Sequence, residues 1–178
     1  VQTQLGDHVE VLSVSPTDLS GVISSIRTIA TAIGAEEEAE QLTTQMRSEL
    51  QQIQDQVSEL RWPSVLPIEW MDPLMSAGNW VPQLIQLAGG QPLAAETGEH
   101  SPQINWEDVR RHNPDIITIM PCGYTLDQTL AEVETLTDRP DWQELRAVQN
   151  KQVYLLDGHH YFNRPGPRLV DSTRILAE

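Results

Sequence analysis

Glu69 and Asp72 stand three residues apart, a spacing at which one carboxyl could give a proton and the other take one. The plainer reading is structural, since residues three apart across a strand end tend to point apart. Asp72 also precedes Pro73, where a carboxylate can hold a loop by accepting backbone N–H groups. Cys122 lies in the turn Pro121-Cys122-Gly123-Tyr124, and His159 or His160 could join it in a zinc or haem site. No ligand spacing signals such a site, so a buried, inert thiol is the simpler expectation. His100, before Ser101-Pro102, reads as a turn residue. The chain has no G-x-S-x-G elbow, phosphate-binding loop, dinucleotide fingerprint or H-E-x-x-H pair, so it reads as non-enzymatic.

Bulky apolar side chains carry more information. Trp70, Met71, Met75, Trp80, Tyr124, Tyr161 and Phe162 all fall in segments that read as loops. Loops have little core in which to bury such groups, so these residues imply a surface that something else covers. One indole lying on a flat guest buries roughly 150–250 Å², worth about 4–6 kcal/mol before ordering costs. Packing beneath a long loop is the competing reading for Trp70 and Trp80. Arg164 and Arg168 bracket Pro165-Gly166-Pro167. Arg168, near a helix start, opposes the dipole and calls for a carboxylate such as Asp157 or Asp171. Arg164 is the better placed to meet a ligand amide or phosphate.

The elements that must hold these residues alternate. Val65, Leu66 and Ile68 form a strand that stops at Glu69-Trp70, followed by an open loop. Asn79 then caps a helix with Pro82 in its first turn, and Gly89-Gly90 end it. A second unit has a helix over Trp106–His112, a strand over Asp115–Met120 and a helix over Asp127–Leu136. A third has a helix from Pro140 to Ala147, a strand over Val153–Leu156, a loop over Asp157–Gly166 and a helix from Pro167. Upstream, Val9–Val14 reads as a strand. Asp18 or Thr17 caps a helix ending at Gly34, and a second helix runs from Glu36 to Leu60 with a narrow apolar seam. Such alternation implies a parallel sheet with helices on both faces and the three post-strand loops on one edge. Ligands of open sheets bind outside that edge. Pro67 is awkward in a central strand, so either an edge position or pairing that begins after it is expected.

A chain of 178 residues fits one domain with its own core. Its net charge of −15 argues against nucleic acid, and Glu36-Glu37-Glu38 read as a solvated face. One cysteine leaves no internal disulfide, and no run is long and apolar enough to span a membrane. The start at Val1, without an initiator Met or signal peptide, reads as that of a cut-out piece.

The phrases IEWMDPLMSAGNWVPQLIQLAGG, IITIMPCGY and VYLLDGHHYFNRPGPRLV resemble the cobalamin-binding branch of the substrate-binding proteins of ABC importers, over about Val9 to Leu176. The resemblance implies a three-layer α/β lobe with a parallel sheet, from a helix-linked (class III) periplasmic binding protein. Residues 1–17 would end the amino-terminal lobe, 18–60 would hold the connecting helix and 61–178 would be the carboxy-terminal ligand-binding lobe. Trp70, Met71, Asp72, Pro73, Asn79 and Trp80 would form one wall. Cys122 and Tyr124 would form a second, and His160, Tyr161, Phe162 and Arg164 a third. Glu132 or Glu134 is the candidate for docking to a membrane permease. The implied guest is cobalamin or another corrinoid, a ligand rather than a resident cofactor, with haem or a ferric siderophore as the alternative. A periplasmic or membrane-associated address follows from the resemblance, with a cytoplasmic role left open, as is a dimer formed through an uncovered hinge.

Overall fold

A computed structural model describes residues 9–178. Its centre is β1 (Ser64–Met71), a run whose Val65, Leu66 and Ile68 are buried. Parallel β4 (Ile116–Ile119) lies on one side of it, and parallel β5 (Val153–Leu155) lies beyond β4. The other side is shared by the two-residue parallel strand β3 (Gln91–Pro92) and the antiparallel β2 (Leu74–Ser76). The three main strands are therefore parallel, as the alternation predicts.

Pro67 sits inside this central strand, paired with Thr118 of β4. Neither expectation for it holds as stated. Its carbonyl faces the outer side, accepting from Ala77 N at 2.8 Å, and the Val65 carbonyl accepts there from Leu93 N at 2.9 Å. The ring nitrogen shares that side, between the end of β3 and the start of β2. The missing N–H thus faces a gap in the ladder and costs no pairing.

Helices cover both faces. On one lie α1 (Leu19–Ile33), α2 (Glu36–Val57), α3 (Val81–Leu87) and α8 (Leu169–Ala177), joined by Val22, Met46, Ile53, Leu84, Ile85 and Leu169. Asp18 caps α1 by accepting Gly21 N, and Gly34 closes it in the left-handed region at φ 72°. The seam of α2 is narrow as expected, with Ala39, Met46, Leu50, Ile53 and Val57 buried and Glu36, Glu37 and Glu38 exposed at its start, but the helix ends at Val57 and Leu60, expected to close it, is exposed. On the other face α4 (Trp106–His112) packs with Ile68, Ile117, Ile119, Trp142 and Leu145. Asn105 caps that helix through Asp108 N.

Several elements differ from expectation. Val9–Val14 forms no strand; no strand of the described sheet runs beside it, and Val11, Leu12 and Val14 remain 40–45% exposed. β1 does not stop at Glu69 but continues to Met71 and turns back as β2 through a cis Asp72–Pro73 bond. Asn79 is not the cap of α3. It takes a left-handed conformation at φ 52°, and Trp80 occupies the cap position. The helix expected to Leu136 is divided at Val133 into α5 (Leu126–Glu132) and α6 (Glu134–Thr137). From Pro140 to Ala147 there is only a 3-10 turn (Trp142–Glu144) and the start of α7 (Arg146–Gln149), because Leu145 between them goes extended and buries its side chain.

Candidate functional site

The carboxyl ends of β1, β4 and β5 share an edge, and backbone bonds lace their loops together. Cys122 N donates to Glu69 O at 3.0 Å, and His159 N donates to Tyr124 O at 2.9 Å. The register of β1 slips between Ile68 and Trp70, and Trp70 then pairs with Met75 across the hairpin. The Trp70 indole N–H donates to Asp72 O at 2.9 Å, which holds its ring over the turn. That ring meets Tyr124 edge to face, with centroids 5.5 Å apart and planes at 76°. Tyr124 OH donates to both carboxylate oxygens of Glu132 at 3.2 Å. Desolvation, then the Glu132 carboxylate, pushes the phenol above its ordinary range. A cleft of about 70 Å³ lies between Trp70, Tyr124, Glu132 and Thr135. It is too small to enclose a large ring.

After β5 the backbone makes one π-helical turn, Gly158–Phe162. Asp157 anchors it, accepting from His160 N and lying 2.8 Å from His160 Nδ1. Partial burial works to raise the Asp157 carboxyl, but its bonds to His160 outweigh that and lower it. His159 and His160 meet edge to face at 4.6 Å. Arg164 Nε donates to His159 O at 3.1 Å. Arg168 finds neither Asp157 nor Asp171. Its guanidinium reaches His160 O at 3.4 Å, while Asp171 is taken by Arg174 and Asp157 by His160.

The expected rim is only partly assembled. Trp70, Cys122, Tyr124, His159, His160 and Arg164 are at least partly open at this edge, as are Asp72 and Pro73 in the hairpin turn. Three predicted wall residues are buried instead. Met71 is 5% exposed, in the core under the second face. Trp80 and Phe162 are 8% and 1% exposed, in the other core, because the π turn folds Phe162 inward and Trp80 Nε1 donates to its carbonyl at 2.8 Å. Tyr161 is half-buried against that same core. Asn79 bonds Glu99 and Gly98 through its backbone, which makes it part of a loop brace.

Glu69 and Asp72 do not form an acid–base pair. Glu69 accepts from Ser101 Oγ at 2.5 Å, and that hydroxyl accepts from Gly78 N. Asp72 contributes its backbone carbonyl rather than its carboxylate to the turn. Ser101 was invisible as a functional brace in the sequence, since a Ser-Pro pair reads as an ordinary turn. The Cys122 thiol is exposed and not buried. Local desolvation and then Glu69 push its pKa up, which keeps it protonated and weak as a metal ligand at neutral pH. Among the described residues no three His, Cys, Asp or Glu side chains are grouped to hold a metal ion. No helix among them is long and apolar enough to cross a membrane. Glu134 is exposed at the start of α6, next to the Tyr124-bound Glu132.

Comparison with known proteins fits this architecture. Residues 2–159 match the family model described as periplasmic binding protein. The chain is 31% identical over 182 residues to the uncharacterized ABC transporter substrate-binding lipoprotein YvrC of Bacillus subtilis, covering 96% of this chain and 53% of that protein. It is 30% identical over 104 residues to the vitamin B12-binding protein of Vibrio cholerae, covering 58% of this chain and 34% of that protein. The chain thus spans about half the length of the first relative and about a third of the second. An ABC transporter substrate-binding protein from Listeria monocytogenes superposes with a TM-score of 0.83 at 20% identity, covering 95% of this chain and 67% of that one. With its parallel sheet, two helical layers and matching family model, this chain belongs to the periplasmic binding protein family.

Proposed function

We propose that this chain serves as the carboxy-terminal lobe of an ABC importer's substrate-binding component and takes cobalamin or a related corrinoid at the rim around Trp70 and Tyr124. The observation that carries the reading is the convergence of three post-strand loops, with Trp70 and Tyr124 edge to face and His159 bonded to Tyr124. A corrin is broad, partly apolar and fringed with amides, so it suits an indole and a phenol flanked by imidazoles and Arg164. The kinship with a vitamin B12-binding protein supports the same choice. The task is capture and delivery, without chemistry on the guest.

In this reading residues 1–17 close an amino-terminal lobe, 18–60 carry the connector and 61–178 form the binding lobe, of which residues 1–8 lie outside those described. Glu134 is the stronger candidate for permease docking, because Glu132 is engaged by Tyr124. Placement outside the cytoplasmic membrane follows from the importer role. Haem is the second reading, favoured by the His159 imidazole at the rim, which offers an axial nitrogen where the protonated Cys122 thiol does not.

Absorbance titration of the natural full-length protein with cyanocobalamin and, separately, with haemin tests both. Saturable spectral change with cyanocobalamin alone supports the corrinoid reading. Saturation by haemin alone transfers the assignment to haem.

A further inference from the structure

The side chain that holds the Trp70 hairpin comes from a distant part of the chain. Arg139 follows α6, and its Nη2 donates to Met71 O at 2.9 Å. Met71 is the last residue of β1, between the Trp70 ring and the cis Asp72–Pro73 turn. The guanidinium lies 5.6 Å from the centroid of Trp106, which stacks on Trp142 at 6.1 Å with planes 21° apart. Trp106 Nε1 in turn donates to Pro140 O at 2.8 Å, tying this stack to the segment that carries Arg139. Among the described residues Arg139 makes no ion pair, and its Nε is buried without a partner. A half-buried guanidinium with unspent donors is costly to keep unless its placement serves something. Here it serves one carbonyl, at the root of the turn that aims Trp70.

We infer that Arg139 is a positioning residue for the ligand wall: held on the Trp106–Trp142 stack, it clamps the Met71 carbonyl and so fixes the turn from which the Trp70 indole meets Tyr124. The inference rests on the rim being the binding surface, but the clamp itself can be judged without any ligand.

The test uses the ¹⁵N-labelled 178-residue chain, with the Trp70 indole N–H resonance identified by its loss in Trp70→Phe. Arg139→Gln is expected to move that resonance while leaving exposed Trp62 in place, and Arg139→Lys to move it less, since an ammonium can still donate to the Met71 carbonyl but loses the planar contact with Trp106. A Trp70 resonance unchanged in both folded variants overturns the inference. Should Arg139→Gln fail to fold, Arg139→Lys decides alone: a displaced Trp70 signal upholds the clamp and an unmoved one removes it. In the natural full-length protein Arg139→Gln raises the cyanocobalamin Kd about tenfold. A wild-type protein that takes no cyanocobalamin sinks the binding reading instead, and the resonances still judge the clamp.

Discussion

The Trp80 indole donates its N–H to the Phe162 carbonyl at 2.8 Å across 82 positions of sequence. This bond joins the start of α3 to the end of the π-helical turn, and both rings lie in the core beneath the rim. Two of the aromatics expected at the ligand wall are thus built into the scaffold.

Trp80→Phe tests that division. It leaves the buried Phe162 carbonyl without its donor and opens a small void, so unfolding stability should fall by about 2–3 kcal/mol. Urea denaturation at constant m-value reads it. A loss below about half a kcal/mol would place the indole at the surface after all.

Trp70→Ala should behave in the opposite way. The ring is half-open and its one hydrogen bond is local, so stability changes little, while the cyanocobalamin Kd of the natural full-length protein rises at least about tenfold. Equal affinities in wild type and variant would remove Trp70 from the binding surface.

The contrast between these two tryptophans marks what was legible in the sequence. Local rules worked in part: Asp18, one of two caps expected, the left-handed stop at Gly34, and the seam Ala39–Met46–Leu50–Ile53–Val57 are readable from neighbours in the chain, whereas the cap expected at Asn79 fell to Trp80. The parallel order and the shared loop edge followed from alternation. The direction of a loop side chain did not, because it depends on what folds over it. Trp70 and Trp80 are the same residue type ten positions apart, and the bond to the distant Phe162 carbonyl separates their fates. Val9–Val14 failed for a related reason, since an alternating pattern makes a strand only where a partner runs alongside.

Asp115 gives a pH prediction with a defined sign. Its carboxylate accepts Ser64 N at 3.0 Å, then Arg146 at 2.7 Å and Ser64 Oγ, which together lower its pKa to about 2. A folded-state value below the unfolded one means that the stabilisation is complete above about pH 4 and fades as pH falls toward 2. The difference is worth about 2 kcal/mol. Asp115→Asn should lose that much at pH 7 and flatten the stability profile between pH 4 and pH 2. Parallel profiles for the two proteins across that window would show the carboxylate to be idle.

Cys122 should be accessible yet slow to react. Its thiol is exposed, while desolvation and Glu69 raise its pKa, so alkylation by iodoacetamide should be sluggish at pH 7 and accelerate above pH 9. Glu69→Gln should speed the neutral reaction. Cys122→Ser should leave the metal content by elemental analysis unchanged, and metal lost with the thiol would revive the metal-site reading.

The rim itself depends on a residue with no side chain. A Cβ on Gly158 would strike the Pro121 carbonyl oxygen and the Asn163 side chain, and would come within 2.9 Å of Met120 O. Two of these contacts are backbone, which cannot swing aside as a side-chain tip can. Gly158→Ala must therefore push the π-helical turn away from the loop after β4, stretching the His159 N to Tyr124 O bond of 2.9 Å that ties the third loop to the second. Buried overpacking of this kind costs about 1–3 kcal/mol. Because the strain falls on the junction of the loops, cyanocobalamin binding should weaken even in the fraction that remains folded, and the His159 amide should lose protection from hydrogen exchange. Unchanged protection at His159, with the chain folded, would mean that the two loops hold their places independently.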